Sequence, residues 1–596
     1  MDRTRDFTVQ DVLDLDTFDG SWAPGFVFSP KGDYLAFVVQ RAAAQGVCHQ
    51  RPFLMGNDRG ELWLANLASH EVHPLAADVA QGLGFFAPMW SPDGRWITAA
   101  MVDGTAIRPV VVDVHSGQRT VLLERNVAMR FGASPCLWLD TDRVLCAVLP
   151  DGLLPIAAET ETRAPRRAII EWSKARAGRE PTADVLDVIP GAPKGLTYLD
   201  PEPVFVTVAP SDGSATPLRD DTVTPEIAAF RQMFVRIPSE KPEIPSPATS
   251  PAWATAMVLP EGARLVATHE ATGRIAYLVE DQEGSRIGIA TRDGAPDEWV
   301  FETNTHLRRV RVGTIQDLDG ASVDSARPTT RLLLPPGHED GVPRPAVVWV
   351  YPGATPGPIV RRPFKLNDAS PLNLHLLAAL GYVVIQPSMT IPEGEEPLDL
   401  LSLLAPAAEA AIEAAVSAGY VNRERVHVMG QSFGGYAVMG LLATTQAFRS
   451  GIAMAGFCDL FSFYGAGDPR FRYGDPQHLL FSAAWSPEQG IRLGSPPWID
   501  PERYVRNSPL LAADRIRAPL LITQGDQDYV PMGQGEEMFS ALRKLGRRTR
   551  FVRYWGEGHV LSSPANIAHL WEQIQEWLAD VDLTTTPVEL GEHQVC

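Results

Sequence analysis

The 596-residue sequence lacks long apolar runs, and nowhere does it reach the roughly 20 consecutive apolar residues that a membrane-spanning helix needs. A membrane partner is therefore not expected. The opening stretch, MDRTRDFTVQDVLDLD, is polar and has no apolar segment of the kind a secretory signal carries. Cysteine is scarce. Its five positions (Cys48, Cys136, Cys146, Cys458, Cys596) are scattered, odd in number and in no metal-ligand spacing. That pattern excludes a disulfide framework and leaves reduced thiols, so a cytoplasmic location is expected. Positive charge is also short, with 52 Lys and Arg against 72 Asp and Glu and a formal net charge of −20. Such an acidic balance argues against nucleic acid and against anionic membrane surfaces, without identifying a substrate. No metal and no cofactor are expected. Oligomeric state is left open, a homo-oligomer included.

What is present is organised around Arg425–Thr445, reading RVHVMGQSFGGYAVMGLLATT. Arg425 to Met429 is short, apolar and β-branched, as a buried strand should be, and Ala437 to Thr445 suits a packed helix. Between them lies Gly430-Gln431-Ser432-Phe433-Gly434-Gly435, a G-x-S-x-G sequence in the strand–turn–helix setting of a nucleophile elbow. The tight turn needs small flanking residues, which Gly430 and Gly434 supply, and Gly435 lets the helix approach the sheet. Ser432 is then a candidate nucleophile. A bare motif recurs by chance, and the bland reading is a glycine-rich turn with a solvated serine.

The length implies at least two domains. Residues 1–20 read as a short amphipathic arm, with Phe7, Val9, Val12 and Leu13 as its apolar contacts. From 21 to 327 the texture is β. A strand, a Ser-Pro-x-Gly turn and a second strand recur, as in Phe26–Val38 around Ser29-Pro30-Lys31-Gly32 and Pro88–Ala99 around Ser91-Pro92-Asp93-Gly94. A degenerate copy runs from Leu137 to Cys146. A further pair of strands, Arg274–Val279 and Arg286–Ala290, flanks Gln282-Glu283-Gly284. Spacings of roughly 45 to 60 residues fit four-stranded blades, so the expectation is a β-propeller of about seven blades. The stretch 152–252, with charged residues from Glu159 to Glu180 and prolines from Ile237 to Pro251, does not declare its blades. A pair of β-sandwiches is the alternative.

Near Pro328 the texture changes to alternating strands and helices, and 328–585 reads as an α/β-hydrolase domain with a doubly wound, mainly parallel sheet. Pro345–Tyr351 and Gly381–Pro387 are continuous apolar runs, the mark of strands buried on both faces. Leu372–Leu380 and Leu398–Ala418 read as helices, and 586–596 as a C-terminal tail. A nucleophilic serine needs a base, and the base an orienting acid, in the chain order Ser, Asp, His. Asp526 or Asp528, after the strand Pro519–Gly525, could orient the base. Asp528 is favoured because it lies three residues beyond the glycine, leaving Asp526 to bond the turn. His559, in Gly556-Glu557-Gly558-His559 after the last strand, is the candidate base. His427 lies inside the elbow strand, His478 before the acid and His569 on the final helix, all less suitably placed. The oxyanion donors expected are the backbone N–H of Phe433 and, because Pro352 has no N–H, the hydroxyl of Tyr351. Tyr351 closing the end of its strand is the plainer alternative.

The elbow, the loop Gly525-Asp526-Gln527-Asp528-Tyr529-Val530-Pro531, and Gly556-Glu557-Gly558-His559 together resemble the prolyl oligopeptidase family of serine peptidases. Arg492–Trp498, Pro501–Tyr504 and Asn507-Ser508-Pro509 are also similar to its bacterial members. The resemblance is specific over about 330–580 and loose before it. It implies a propeller preceding an α/β-hydrolase domain, peptide substrates, the triad Ser432, Asp528 and His559, no metal, and Tyr351 completing the oxyanion hole. Members of the acylaminoacyl-peptidase and glutamyl-endopeptidase kinds look nearest. In the latter, Arg361 or Arg362 would pair with an acidic substrate side chain, unless both are simply solvated. An esterase or thioesterase using the same triad is the alternative activity, and a catalytically silent scaffold a third reading.

Overall fold

The computed structural model describes residues 4–18, 23–49, 54–156, 158–159, 164–183, 201–234, 251–292, 298–319, 329–356, 364–394, 396–471 and 490–583. Its front half contains four antiparallel four-stranded sheets. They comprise β1–β4 (Phe26–Phe28, Tyr34–Gln40, Gly60–Asn66, Val72–Ala76), β5–β8 (Leu83–Trp90, Trp96–Asp103, Ala106–Asp113, Arg119–Val121), β9–β12 (Cys136–Trp138, Val144–Val148, Val204–Val208, Ala215–Pro217) and β13–β16 (Arg264–His269, Arg274–Asp281, Gly284–Thr291, Glu298–Thr303). The Ser-Pro-x-Gly signal works as a turn device. The buried Ser29 hydroxyl accepts from Tyr34 N at 3.0 Å, and that of Ser91 from Trp96 N at 2.9 Å. Gly32 and Gly94 take the positive φ (69° and 76°) that closes each turn.

The sheets stack through apolar faces. Ala36, Val38, Leu62 and Leu64 of the first meet Phe85, Ile97 and Val110 of the second. Val111 of the second meets Cys136, Val144 and Val206 of the third. Phe37 and Val39 of the first also meet Leu278 and Ile287 of the fourth. Among the described residues there are four such sheets, fewer than the about seven blades expected from turn spacing. Much of 152–252, the stretch that resisted reading, lies outside the described residues. Among the described residues, Ala164–Ala177 and Pro225–Phe234 are helices, and only β11 and β12 in that stretch extend the third sheet. Most of the proline-rich segment falls outside the described residues.

The back half holds one eight-stranded sheet, in the order β17-β18-β20-β19-β21-β22-β23-β24. These are Thr314–Asp319, Thr329–Leu334, Arg344–Trp349 (β19), Val383–Gln386 (β20), Val421–Gln431, Ser450–Met454, Leu520–Gly525 and Thr549–Tyr554. The pairs from β20 through β24 are parallel, and β17 and β18 pair antiparallel at one edge. The sheet thus begins at Thr314, earlier than the expected boundary at 327. The first strand is polar (TIQDLD), as an edge strand allows, and so does not stand out from the β texture before it.

Successive residues of β19 serve two cores. Ala346 and Val348 face the helices Leu401–Ser417 and Phe433–Thr444, while Val347 and Trp349 face the final helix Pro564–Leu583. Phe7, Val12, Leu13 and Leu15 of the N-terminal arm join the second core. The helices expected at Leu372–Leu380 and Leu398–Ala418 are shorter, His375–Ala379 and Leu401–Ser417. The C-terminal tail 586–596 lies outside the described residues.

Candidate active site

Three loops leave the carboxyl ends of parallel strands β21, β23 and β24 and converge. Strand ends are where open α/β sheets gather their sites. The first loop is one residue long. Ser432 follows β21 directly and precedes the helix Phe433–Thr444, with φ 61° and ψ −120°. A non-glycine residue in that conformation is strained, and the neighbouring backbone holds it there. Ser432 N donates to Met454 O at 2.8 Å, at the end of the adjacent strand. The glycines matter as close approaches. A Cβ on Gly430 would lie 2.6 Å from Gly434 O, one on Gly434 2.3 Å from Val350 O, and one on Gly435 2.7 Å from Met454 O. Phe433 is the first residue of the helix, so its N–H has no intrahelical partner and is available to an oxyanion.

The second loop brings Asp528, which is fully buried. Its Oδ1 accepts from His559 Nδ1 at 2.8 Å and from Val530 N at 2.8 Å. A carboxylate accepting at Nδ1 sets the imidazole tautomer and leaves Nε2 as the proton-accepting nitrogen. Asp526 does something else: its Oδ1 accepts from Gly556 N at 2.6 Å and braces the turn. The third loop brings His559. Gln431 Nε2 donates to His559 O at 2.7 Å, so the backbone of His559 is tied to the residue just before the candidate nucleophile.

Tyr351 follows β19 and is 40% exposed. Its ring stands edge-on to that of Phe433, 6.1 Å away. His427 and His569 are elsewhere, the first buried within β21 and the second bonded to Tyr554. His478, Arg361 and Arg362 lie outside the described residues. Among the described residues no cluster of three or more His, Cys, Asp or Glu is arranged to hold a metal ion, and no helix is long and apolar enough to cross a membrane.

Two residues at this site escaped sequence reasoning. The ring of Tyr529 lies 4.3 Å from the imidazole of His559, and its phenol is near Ser432. Burial, with the Asp528 charge adding, pushes that phenol up to about 12, and the nearby Ser432 hydroxyl opposes the rise. It is therefore a neutral hydroxyl beside the candidate nucleophile. Arg470 covers the same ring, 5.5 Å from its centroid, and is held by the fully buried Asp468 at 2.7 Å. The signal for Tyr529 was its place beside Asp528. Nothing local pointed to Arg470, which comes from a separate short turn, Pro469–Phe471.

Comparison with known proteins fits this geometry. The model of the prolyl oligopeptidase family matches residues 405–582. A probable chloroplastic glutamyl endopeptidase of Arabidopsis thaliana is 28% identical over 272 residues, which is 43% of this chain and 26% of that protein. The chain thus spans about a quarter of the length of that relative. Among solved structures, the AtxE2 isopeptidase superposes with a TM-score of 0.58 at 14% identity, covering 98% of this chain and 97% of that one. The acylaminoacyl peptidase of Pyrococcus horikoshii superposes with a TM-score of 0.54 at 13% identity, covering 92% and 94%. The likeness of fold therefore extends over the front sheets as well as the eight-stranded sheet. Residues 405–582, the part of the chain that carries Ser432, Asp528 and His559, form a prolyl oligopeptidase family domain.

Proposed function

We propose that this protein is a serine peptidase that hydrolyses peptide bonds of short or unfolded peptides through an acyl-enzyme on Ser432. Ser432 Oγ attacks the scissile carbonyl while His559 Nε2 takes its proton. The imidazolium then protonates the leaving amine, and a water activated by the same nitrogen releases the acyl group. Asp528 holds the Nδ1 proton and stabilises the imidazolium. The N–H of Phe433 and the hydroxyl of Tyr351 receive the negative charge of the tetrahedral intermediate. The front sheets act as a β-propeller that restricts access, with the catalytic domain beginning at Thr314–Asp319. A cytoplasmic location belongs to the same reading and rests on the scattered cysteines.

The observation that carries this reading is the 2.8 Å Asp528–His559 pair beside a serine at φ 61° between strand and helix. A resting serine on an ordinary turn has no reason to adopt that backbone. The isopeptidase and acylaminoacyl peptidase that share the fold, and the glutamyl endopeptidase similar in sequence, support a peptide over a small ester.

The test is labelling by a fluorophosphonate probe together with turnover of peptide amides and p-nitrophenyl esters. Labelling and amide turnover should both be present. Ser432→Ala should abolish labelling and lower turnover by roughly 10⁴-fold or more. Ester turnover with no cleavage of any peptide amide would favour the esterase reading instead.

A further inference from the structure

We infer that Gln431 and Glu557 are positioning residues that hold His559 in register with the nucleophile, an inference that rests on Ser432 and His559 being nucleophile and base. His559 sits in an irregular loop between β24 and the helix Pro564–Leu583, and packing alone does not fix it. A pocket of about 30 Å³ opens against Gly558, His559, Val560 and Leu561. That is room for one or two waters. Packing on this side is incomplete, so hydrogen bonds add to the hold that the Tyr529 ring and Asp528 have on the imidazole.

Two anchors supply them. Gln431 is the last residue of β21, the strand that carries the nucleophile, and its amide donates to His559 O at 2.7 Å. Glu557 lies two residues before the base and is only 2% exposed. Its carboxylate accepts from Ser562 N at 2.8 Å, Ser563 N at 3.1 Å, Ser562 Oγ at 3.2 Å and Asn566 Nδ2 at 2.6 Å. One buried charge therefore closes the loop on itself and sits at the N-terminus of the helix that follows, where a negative charge is favoured. The loop is clamped at the carbonyl of His559 and again through Glu557. Neither clamp touches the reacting atoms. Both act through the distance between imidazole and hydroxyl, where a displacement of about 1 Å costs on the order of 10²-fold in rate.

The experiment compares wild type with Gln431→Met, which keeps length but cannot donate, and Glu557→Gln, which keeps shape but loses charge. Fluorophosphonate labelling rate, kcat and KM are measured across pH, each corrected for the folded fraction. The expected result for Gln431→Met is a fall in kcat of about 10- to 100-fold with KM little changed and a parallel fall in labelling rate. Glu557→Gln should fall in the same direction by about 10-fold. A role in folding alone would lower the melting temperature and leave kcat and labelling rate per folded molecule in place. A wild-type protein that takes no label sinks the nucleophile assignment itself. A labelled wild type with both variants labelled at its rate overturns only this inference.

Discussion

At the scale of single residues, the two aspartates after β23 separate by what they bond. Asp528 Oδ1 serves both the imidazole and Val530 N, whereas Asp526 serves the backbone of Gly556 and the side chain of Gln527. Asp528→Asn can still accept from Val530 through its oxygen, so the loop should survive. What fails is the hold on the Nδ1–H tautomer and on the imidazolium. We expect Asp528→Asn to lower kcat by roughly 10⁴-fold with the melting temperature nearly unchanged. Asp526→Asn should cost less than about 10-fold, since it loosens a turn and Asp526 bonds Gly556 and Gln527, not His559. Steady-state kinetics of the two variants on one peptide amide make the comparison. Equal losses would mean that the acid has been assigned to the wrong side chain. These candidates could be named from the chain because the elbow, the acid loop and the loop carrying His559 are each local in sequence. The serine is recognised by its glycines, the acid by its distance from a strand exit and the base by the last strand. Tyr529 and Arg470 were not legible, because their importance comes from a ring facing His559 and from a turn in a different part of the chain.

At the scale of elements, the final helix is fastened beneath the sheet by a polar row that has nothing to do with catalysis. His427, fully buried in β21, bonds Ser450 Oγ of β22 through Nδ1 at 2.8 Å and Asp582 through Nε2 at 3.2 Å. Arg425 reaches Asp582 at 2.6 Å, and Tyr382 donates to it at 3.0 Å. The row has the residue types of a triad, yet Ser450 is inaccessible at 0% exposure, so its chemistry is structural. Burial works against ionisation of Asp582, but the bonds from His427 and Arg425 outweigh it and hold the carboxyl well below the usual carboxylate range. A carboxyl depressed on folding contributes stability above its unfolded pKa of about 3.9, and that contribution is lost as pH falls from there. Asp582→Asn should therefore lower unfolding free energy at pH 7 by roughly 3 kcal/mol. The difference from wild type should shrink as pH drops below about 4. Denaturant unfolding at a series of pH values reads it, and a gap that does not change with pH would show that the ionised carboxylate is not the fastening. None of this could be read from the chain, since His427 and Asp582 are 155 residues apart. Strands and helices themselves were readable wherever period and glycine punctuation agreed. They were not readable in 152–252, where helices interrupt a β-rich region and no turn signal marks the change.

At the scale of the whole molecule, the front sheets are bound to the back half close to the site. Asn367, 3% exposed, donates to Gly284 O at 3.0 Å and Ser285 Oγ at 3.1 Å at the start of β15. Lys365 pairs with Glu280 of β14, and Ser562, just after the His559 loop, donates to the carbonyl of His49. The N-terminal arm adds a hub: Asp16 accepts from Ala42 N at 2.9 Å, Arg41 at 2.8 Å and Thr303 Oγ1 at 2.6 Å. Blade number was the expectation that local signals could not support, because a Ser-Pro-x-Gly turn marks a hairpin and not the sheet to which the hairpin belongs. The functional consequence of the front half can still be tested directly. If it limits access, a short peptide amide should be cleaved far faster than the same sequence displayed on a folded protein. Asn367→Ala should narrow that gap, because it removes two buried hydrogen bonds between the halves, a loss of about 1 to 3 kcal/mol at the interface. Turnover of the short peptide should stay within about twofold, since Asn367 lies outside the catalytic groups and surface-access effects do not alter the chemical step. The measurement is the ratio of the two kcat/KM values in wild type and variant. A wild type that already cuts the folded display as fast as the free peptide would remove the access role from the front sheets and leave them as a scaffold.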